Sequence, residues 1–474
     1  MKVLLAGYNI DSETIEELKN SSNYNKENLT PETLSAAYAR ISRDPRDINI
    51  LRKESREEVE KSRKSNSTII FGLGHSSVAE HAFLNFDIIG LSRLAVEEVQ
   101  KFRLASFTEK SQRYITLEDD YLIPNGFSGE DLELFNETIK VQNSAYHKLY
   151  DSLKDYLFNK YSEKVSKKKG KIIVDGWAKE DARYVVSLAT LSQFGMSVNA
   201  RSLENMLRRF SASKLQEVQD LGKAIFEKVN GFAPSIIKYI EKTEYDSKRV
   251  ENLRLLVNSI PKSSKSSDEV KLVSYDKDID NKVLASILYE YGFDDYDQAY
   301  SYVLSLSLVE KMKLVTNSQQ FRKSYNSVCR GYEYGDFTFE LLLTATNYAQ
   351  FKRHRLSSQV TGDYDIDYGV KMPHTIEEAG LKDIFNQVIQ KTDETYRKLK
   401  KSSPSLADYI LTNAHRRKVL VKMNLRELYH FVSLRSDEHA QWDIREISDM
   451  LKNIVRDKAP VVSQFLLGKD SFLL

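Results

Sequence analysis

The stretch Lys101–Tyr114, KFRLASFTEKSQRY, decides how the rest of this chain is interpreted. Apolar residues at helical spacing run from Leu91 to about Leu104 and predict a helix. The part from Ser106 to Tyr114 is polar and lacks that period, so we expect a loop that leaves the helix. Such a loop offers hydroxyls, backbone N–H groups and the guanidinium of Arg113, which together suit a phosphate ester. A solvated polar loop would account for the same residues.

The composition describes a folded chain of more than one domain. Its 474 residues are comfortable for two domains, and 41% hydrophobic and 29% charged residues are typical of globular proteins. The 70 basic and 68 acidic side chains nearly cancel, which argues against a general nucleic-acid binder. One cysteine, Cys329, excludes an intrachain disulfide framework and fits a reducing cytosol. No apolar run approaches the roughly 20 residues of a membrane span. We expect a cytoplasmic protein that binds neither membrane nor nucleic acid.

Several motifs occur twice in the same order, which indicates an internal duplication. The corresponding stretches are Asn85–Asp87 and Phe337–Glu340, about Val99–Ser106 and Gln350–Ser358, and Asn199–Leu203 and Asn424–Leu428. A stretch rich in Ser, Lys and Asp lies between the copies and has the composition of a linker. We therefore expect an N-terminal copy over residues 1–245, a linker over 246–280 and a C-terminal copy over 281–474.

Local patterns give further expectations. Residues 1–7 predict an edge strand, residues 131–161 a long helix, and the basic run 164–171 a surface loop. Residues 180–183 predict the start of a helix. Asn199 is expected to cap the helix that follows it. His75 and His81 lack the usual spacing of a helical metal-binding pair and have no evident third ligand, so no metal site is predicted.

The repeated motifs resemble the signatures of flavin-dependent thymidylate synthases, in which Arg-His-Arg is followed by Ser and then by Arg-Tyr. Arg353-His354-Arg355 is intact in the C-terminal copy, whereas Lys101 and Phe102 replace the first two residues in the N-terminal copy. The tail Ser433–Ile447 resembles the C-terminal signature of the same family. The resemblance implies an α/β (α+β) fold with two tandem copies of one domain. Each copy would be a small mixed sheet packed with long helices, and the two would form a pseudo-dimer.

The resemblance also implies how the nucleotide dUMP would be bound. The family builds its pocket from two sets of residues; one set is intact in the C-terminal copy and the other comes from the N-terminal half. The implied dUMP-binding residues are Gln350, Arg353, Glu109, Ser111, Arg113, Arg183 and Arg435, with Arg435 as the catalytic residue. The replacements in the opposite copies are Glu98, Lys101 and Phe210 for the first set, and Thr361, Asp363, Asp365 and Asp408 for the second. Carboxylates at the phosphate positions would repel the ligand. We therefore expect one composite site between the two halves.

Family residues that contact FAD are carried over in the same way. They fall on Arg353, His354, Arg355, Asn424, Arg426, His430, Glu109 and His81. Asn199, Arg201 and Asn205 repeat the pattern in the N-terminal copy, where they are either vestigial or bind a second flavin edge.

The implied function is the methylation of dUMP to dTMP. The carbon donor would be 5,10-methylenetetrahydrofolate, and FAD reduced by NADPH would supply the hydride. A homodimer would be the equivalent of the family tetramer. Two alternatives stay open: a non-catalytic flavin- or nucleotide-binding protein, and a related flavin-dependent pyrimidine methyltransferase.

Overall fold

The structure is a computed structural model that describes residues 1–20, 26–261 and 266–471. The strands are β1 Lys2–Tyr8, β2 Phe83–Ser92, β3 Ala105–Glu109, β4 Leu191–Asn199, β5 Val270–Tyr275, β6 Asp336–Thr344, β7 Ser358–Tyr364 and β8 Arg416–Asn424. The helices are α1 Ser12–Asn20, α2 Glu32–Arg40, α3 Ile48–Glu57, α4 Val59–Ser67, α5 Arg93–Val99, α6 Gly129–Lys160, α7 Ser162–Val165, α8 Lys168–Ala182, α9 Ala200–Ser211, α10 Gln216–Asn230, α11 Glu244–Ser259, α12 Ile279–Glu290, α13 Tyr296–Ser305, α14 Leu308–Gln319, α15 Ala345–Phe351, α16 His374–Glu378, α17 Lys382–Ser402, α18 Leu425–Arg435 and α19 Trp442–Lys458.

The chain forms two compact units whose sequences are interleaved. The first unit contains residues 1–141, 187–263 and 394–410, and the second contains residues 142–186, 264–393 and 411–474. The breaks after residues 141 and 393 fall within α6 and α17. Each unit therefore includes a segment from the opposite half of the sequence. The boundaries predicted at 245 and 281 refer to the two sequence copies and remain a prediction. The stretch 246–280 holds most of α11 and all of β5, and its residues 262–265 lie outside the described part.

Each unit contains a four-stranded sheet with the same topology. The strand order is β1-β2-β4-β3 in the first unit and β5-β6-β8-β7 in the second. All described pairings are antiparallel, whereas a mixed sheet was expected. The predicted α/β fold with two tandem copies is confirmed.

The sequence explains how each central strand passes into a helix. In both units the second sheet strand ends in a hydroxyl residue that caps the next helix: Ser92 caps α5 and Thr344 caps α15. The following central strand ends in an asparagine: Asn199 accepts from the Ser202 N–H at 2.8 Å, and Asn424 accepts from the Glu427 N–H at 2.9 Å. Such caps satisfy backbone N–H groups that the helix leaves without partners. The predicted cap at Asn199 is confirmed.

Alternation in the central strands positions the core. In β8, Val419, Val421 and Met423 are buried, while Lys418 and Lys422 lie on the other face. This period of two places the apolar side chains against α15, α18 and α19 in the core of the second unit.

Several local predictions were wrong. The expected loop from Ser106 contains β3, and the basic run 164–171 lies in α7 and α8. Residues 180–183 end α8 and enter a 3₁₀ turn at Arg183–Val185, instead of starting a helix. The edge strand at the N-terminus and the long helix near 131–161 are confirmed as β1 and α6. Among residues 1–20, 26–261 and 266–471, no helix combines the length and apolar character needed to cross a membrane.

Candidate functional site

A buried hydrogen-bond network in the second unit includes the predicted residue Gln350. Gln350, near the end of α15, donates from Nε2 to Gln441 Oε1 at 3.3 Å. Gln441 in turn donates from Nε2 to the Tyr184 hydroxyl at 2.9 Å, and it also caps α19. Burial and the neighbouring Asp443 raise the pKa of Tyr184 well above its ordinary value, so the phenol stays protonated. The network therefore fixes the orientation of the Gln350 side chain.

Asp443 is the acceptor that joins this network together. It accepts hydrogen bonds from Thr344 Oγ1 at 2.6 Å, from the Tyr184 hydroxyl at 3.0 Å and from Asn347 Nδ2 at 3.0 Å. Lys371 Nζ lies 3.3 Å from the same carboxylate. A buried carboxylate with this many donors is well compensated for the loss of water. The carboxylate thus ties the start of α15 and the start of α19 to Tyr184.

Arg183 comes from the N-terminal half of the sequence but belongs to the second unit. Its side chain is buried, and its Nε donates to the Glu180 carbonyl at 3.2 Å. Its own carbonyl accepts from Asn413 Nδ2 at 3.0 Å, and the Tyr184 carbonyl accepts from the Ala414 N–H at 3.0 Å. The 3₁₀ turn that carries Arg183 is therefore fixed against the residues that precede β8, and Arg183 is in the same unit as Gln350.

The Arg-His-Arg motif alternates between solvent and core. Arg353 and Arg355 are exposed, whereas only 3% of His354 is exposed. Arg435, at the end of α18, donates from Nε to His354 Nε2 at 2.9 Å. Burial and the charge of Arg435 hold the pKa of His354 well below its ordinary value, so the imidazole is neutral. The structure therefore joins the predicted catalytic residue directly to the predicted Arg-His-Arg motif.

The predicted flavin residues of α18 border a basic pocket. Arg426 and His430 line it together with residues 322–328, around a cavity of about 70 Å³. The Arg426 side chain is held by the Val328 carbonyl at 3.1 Å and by Glu333 at 2.6 Å. Asn424 uses its side-chain oxygen to cap α18. Arg322 and Lys323 add positive charge to the same wall. This set of donors suits a ligand with a diphosphate, such as FAD.

The remaining predicted residues lie in the first unit. Glu109, at the end of β3, accepts from Arg93 Nη1 at 3.0 Å and from Ser192 Oγ at 3.2 Å. Ser111 lines a shallow pocket, and its Oγ accepts from the Arg113 N–H at 3.2 Å. His81 is exposed and packs edge-on against the Tyr38 ring, with 4.5 Å between the ring centroids.

The first unit has a different set of residues where the second unit has its basic groups. Phe210 takes the place of Arg435, is 1% exposed and packs against Phe102. Asp408, the counterpart of Arg183, is buried and lies 3.3 Å from both Lys214 and Lys400. Phe210 is thus packed against an aromatic ring, and Asp408 is paired with two lysines.

Sequence reasoning missed Tyr184, Gln441, Asp443, Arg322 and Lys323. Tyr184 directly follows the predicted residue Arg183, and Gln441 and Asp443 lie within the tail motif Ser433–Ile447. Their closeness in sequence to predicted residues was the one indication of a role in the site. Their roles depend on contacts between segments distant in sequence, which no local pattern reveals.

The two units share one strand order and one arrangement of capped helices, which defines a protein built from two homologous α/β domains. The family model described as "Thymidylate synthase complementing protein" matches residues 26–235 and again residues 271–461. The chain therefore belongs to this family and contains its domain twice.

Three known proteins are similar to all or part of the chain. A UPF0159 protein of Thermoplasma acidophilum is 24% identical over 478 residues, which cover 92% of this chain and 95% of that protein. A protein of Clostridium tetani named flavin-dependent thymidylate synthase is 29% identical over 44% of this chain and 82% of its own length. The crystal structure of a flavin-dependent thymidylate synthase from Helicobacter pylori, complexed with FAD and dUMP, aligns at 23% identity. It covers 51% of this chain and 100% of that chain, with a TM-score of 0.29.

Proposed function

We propose that this protein methylates dUMP to dTMP, with 5,10-methylenetetrahydrofolate as the carbon donor and NADPH-reduced FAD as the source of hydride. The observation that carries the proposal is the arrangement in the second unit. Gln350 is hydrogen-bonded into the Gln441–Tyr184–Asp443 network, Arg183 is fixed beside Tyr184, and Arg435 is held by His354. Residues from both sequence halves thus stand together in one unit. Family membership and relatives named flavin-dependent thymidylate synthase support the same activity.

Arg435 has the main chemical role in this proposal. Its guanidinium, placed against the uracil ring, would stabilise the negative charge that develops there as the ring becomes a nucleophile. The charge is permanent because arginine does not titrate in the physiological range. Gln350 and Arg353 would orient the base and the sugar phosphate, and Arg183 would complete the nucleotide contacts. Glu109, Ser111 and Arg113 of the first unit enter the proposal as phosphate-binding residues on the resemblance alone.

The flavin would be held by the basic pocket. The pocket lining provides donors and positive charge for a diphosphate through Arg426, His430, Arg322 and Lys323. Arg353, His354, Arg355, Asn424, Glu109 and His81 complete the set implied by the resemblance. When bound, FAD supplies the redox chemistry, while the chain supplies orientation and charge. By the same resemblance, we propose a homodimer equivalent to a family tetramer and a cytoplasmic location.

The direct test is an assay of dTMP formation from dUMP with methylenetetrahydrofolate, FAD and NADPH. Wild type would be compared with Arg435→Ala and with Phe210→Leu, the matched change in the N-terminal copy. We expect turnover in wild type and Phe210→Leu, and a loss of at least about a hundredfold in Arg435→Ala, as for other removed electrostatic donors. A wild type that binds FAD but forms no dTMP would overturn the proposed activity. Turnover of UMP in preference to dUMP would favour the related pyrimidine methyltransferase.

A further inference from the structure

The two ring nitrogens of His354 differ in their contacts, because Nε2 forms a hydrogen bond and the buried Nδ1 does not. Nε2 accepts from Arg435 Nε at 2.9 Å, and Nδ1 lies 3.4 Å from Glu427 Oε1. A neutral imidazole that accepts at Nε2 carries its proton on Nδ1, so the Nδ1–H points toward Glu427. Both His354 and Glu427 have side chains that are no more than 3% exposed. The ring therefore faces protein groups on both sides.

The N-terminal copy provides an internal comparison for this triad. Phe102 stands where His354 does, and Phe210 stands where Arg435 does. The two phenylalanine rings contact each other edge to face, with 5.6 Å between their centroids. The two positions thus touch in both copies, as a polar pair in one and as an apolar pair in the other. Because an aromatic pair is sufficient to pack these two positions, the hydrogen bond between His354 and Arg435 is not required for packing.

The polar pair occurs in the copy that also keeps Gln350 and Arg353. In the N-terminal copy Glu98 and Lys101 replace those two residues. His354 and Arg435 are therefore present in the copy that has the predicted nucleotide-binding residues, and both are replaced in the copy that lacks those residues. This association connects the His354–Arg435 bond with the ligand of the second unit.

We propose that His354 is a positioning residue that aims the Arg435 guanidinium at the uracil ring. The inference rests on the proposed function and revises the direct flavin contact expected for His354. Because the hydrogen bond engages Nε of Arg435, the edge formed by its two terminal nitrogens points away from the imidazole. Holding Nε fixes the plane of the guanidinium, which lowers the entropy lost when that edge meets a nucleotide base.

A double-mutant cycle on the full-length, FAD-loaded protein tests this role, with the dissociation constant of dUMP from calorimetry as the readout. His354→Phe reproduces the residue of the N-terminal copy, and we expect it to weaken dUMP binding about ten- to a hundredfold, as for a lost hydrogen bond to a charged group. Arg435→Ala should weaken binding at least as much. If His354 acts through Arg435, the double variant should bind no worse than Arg435→Ala alone. His354→Gln, whose amide oxygen can accept from Arg435, should recover most of the affinity.

The control is Phe102→Leu, the matched position in the N-terminal copy, which should leave dUMP affinity unchanged. Multiplicative losses in the double variant, or equal losses in His354→Gln and His354→Phe, would overturn the inference. Unchanged binding in His354→Phe would also overturn it. Thermal unfolding is measured for each variant, and His354→Asn, whose shorter amide does not reach the Nε2 position, replaces His354→Phe if the latter does not fold. A wild type that fails to bind dUMP overturns the proposed function, whereas an additive cycle in a binding wild type overturns this inference alone.

Discussion

Replacing Asp181 with asparagine should change the pH dependence of stability near neutral pH. Asp181 is buried at the end of α8, where its carboxylate accepts from Trp442 Nε1 at 2.8 Å and from Thr375 Oγ1 at 2.6 Å. Burial and the charge of Glu180 nevertheless raise its pKa from 3.8 to about 7. The two hydrogen bonds favour the charged form but do not compensate for the loss of water.

The sign of the effect follows from linkage. A carboxyl group whose pKa is higher in the folded state binds protons more tightly there than in the unfolded chain. Its contribution to stability is complete below about pH 4 and is lost as the pH rises through about 7. The shift corresponds to about 4 kcal/mol at most, at about 1.4 kcal/mol per pKa unit. The amide introduced by Asp181→Asn carries no charge at any of these pH values, so this loss should be absent in the variant.

The measurement is the melting temperature of both proteins from pH 4.5 to pH 8. We expect the difference between variant and wild type to move in favour of the variant across this range, by up to about 10 °C, since 1 kcal/mol corresponds to about 2–4 °C for a domain of this size. Asp175→Asn is the control on the same helix. Although partial burial opposes it, the hydrogen bond from Lys179 lowers the pKa of Asp175, so its titration lies below the range. A variant difference that stays constant from pH 4.5 to pH 8 would refute the reasoning.

Three further changes test the packing and capping described above. Tyr184→Phe removes the hydroxyl that donates to the buried Asp443 and accepts from the buried Gln441. The free energy of unfolding in urea should fall by about 2–4 kcal/mol. A loss below about 0.5 kcal/mol would contradict the network. Asn199→Ala removes the cap of α9 and should lower the melting temperature by about 2–4 °C, corresponding to about 1 kcal/mol, while Asn199→Asp should retain most of the stability. Arg201→Ala breaks an exposed pair with Glu80 and should leave the melting temperature unchanged within error; a drop as large as that of Asn199→Ala would show that the pair matters.

The features that could be predicted from the sequence are those that local chemistry determines. Asn199 caps its helix because a side-chain oxygen two or three residues before a free N–H needs no distant partner. The duplication was visible because the motifs keep their order. Likewise, α6 follows from a long stretch with few helix breakers.

The features that were missed depend on packing between segments. Gly170 belongs to the basic run predicted as a surface loop, but it lies within α8, where a Cβ would come within 1.8 Å of the Lys164 carbonyl oxygen. The glycine is required by the close approach of α7 to α8, and a single sequence gives no sign of this. In β3, the short alternation of Ala105 and Phe107 with exposed Ser106 and Thr108 was too brief to outweigh the polar composition.

The site was only partly predictable for the same reason. The side chains that could contact a ligand were found through motifs, whereas Gln441 and Asp443, which hold other residues in place, act through contacts formed after folding. The pairing of His354 with Arg435 joins positions 81 residues apart in the chain. Such a pair is decided by the packing of α15 against the core and not by any periodicity.

The interleaved composition of the two units has a consequence for how the protein is made. The first unit needs residues 394–410, which include the Tyr409 hydroxyl that donates to Glu217 at 2.9 Å. These residues leave the ribosome only after most of the second unit has been synthesised, roughly 10–30 s later at ordinary rates of translation. During synthesis, the first unit is therefore incomplete until residues 394–410 have been added. A chain truncated between the copies would lack residues 394–410 and the hydrogen bond from Tyr409 to Glu217.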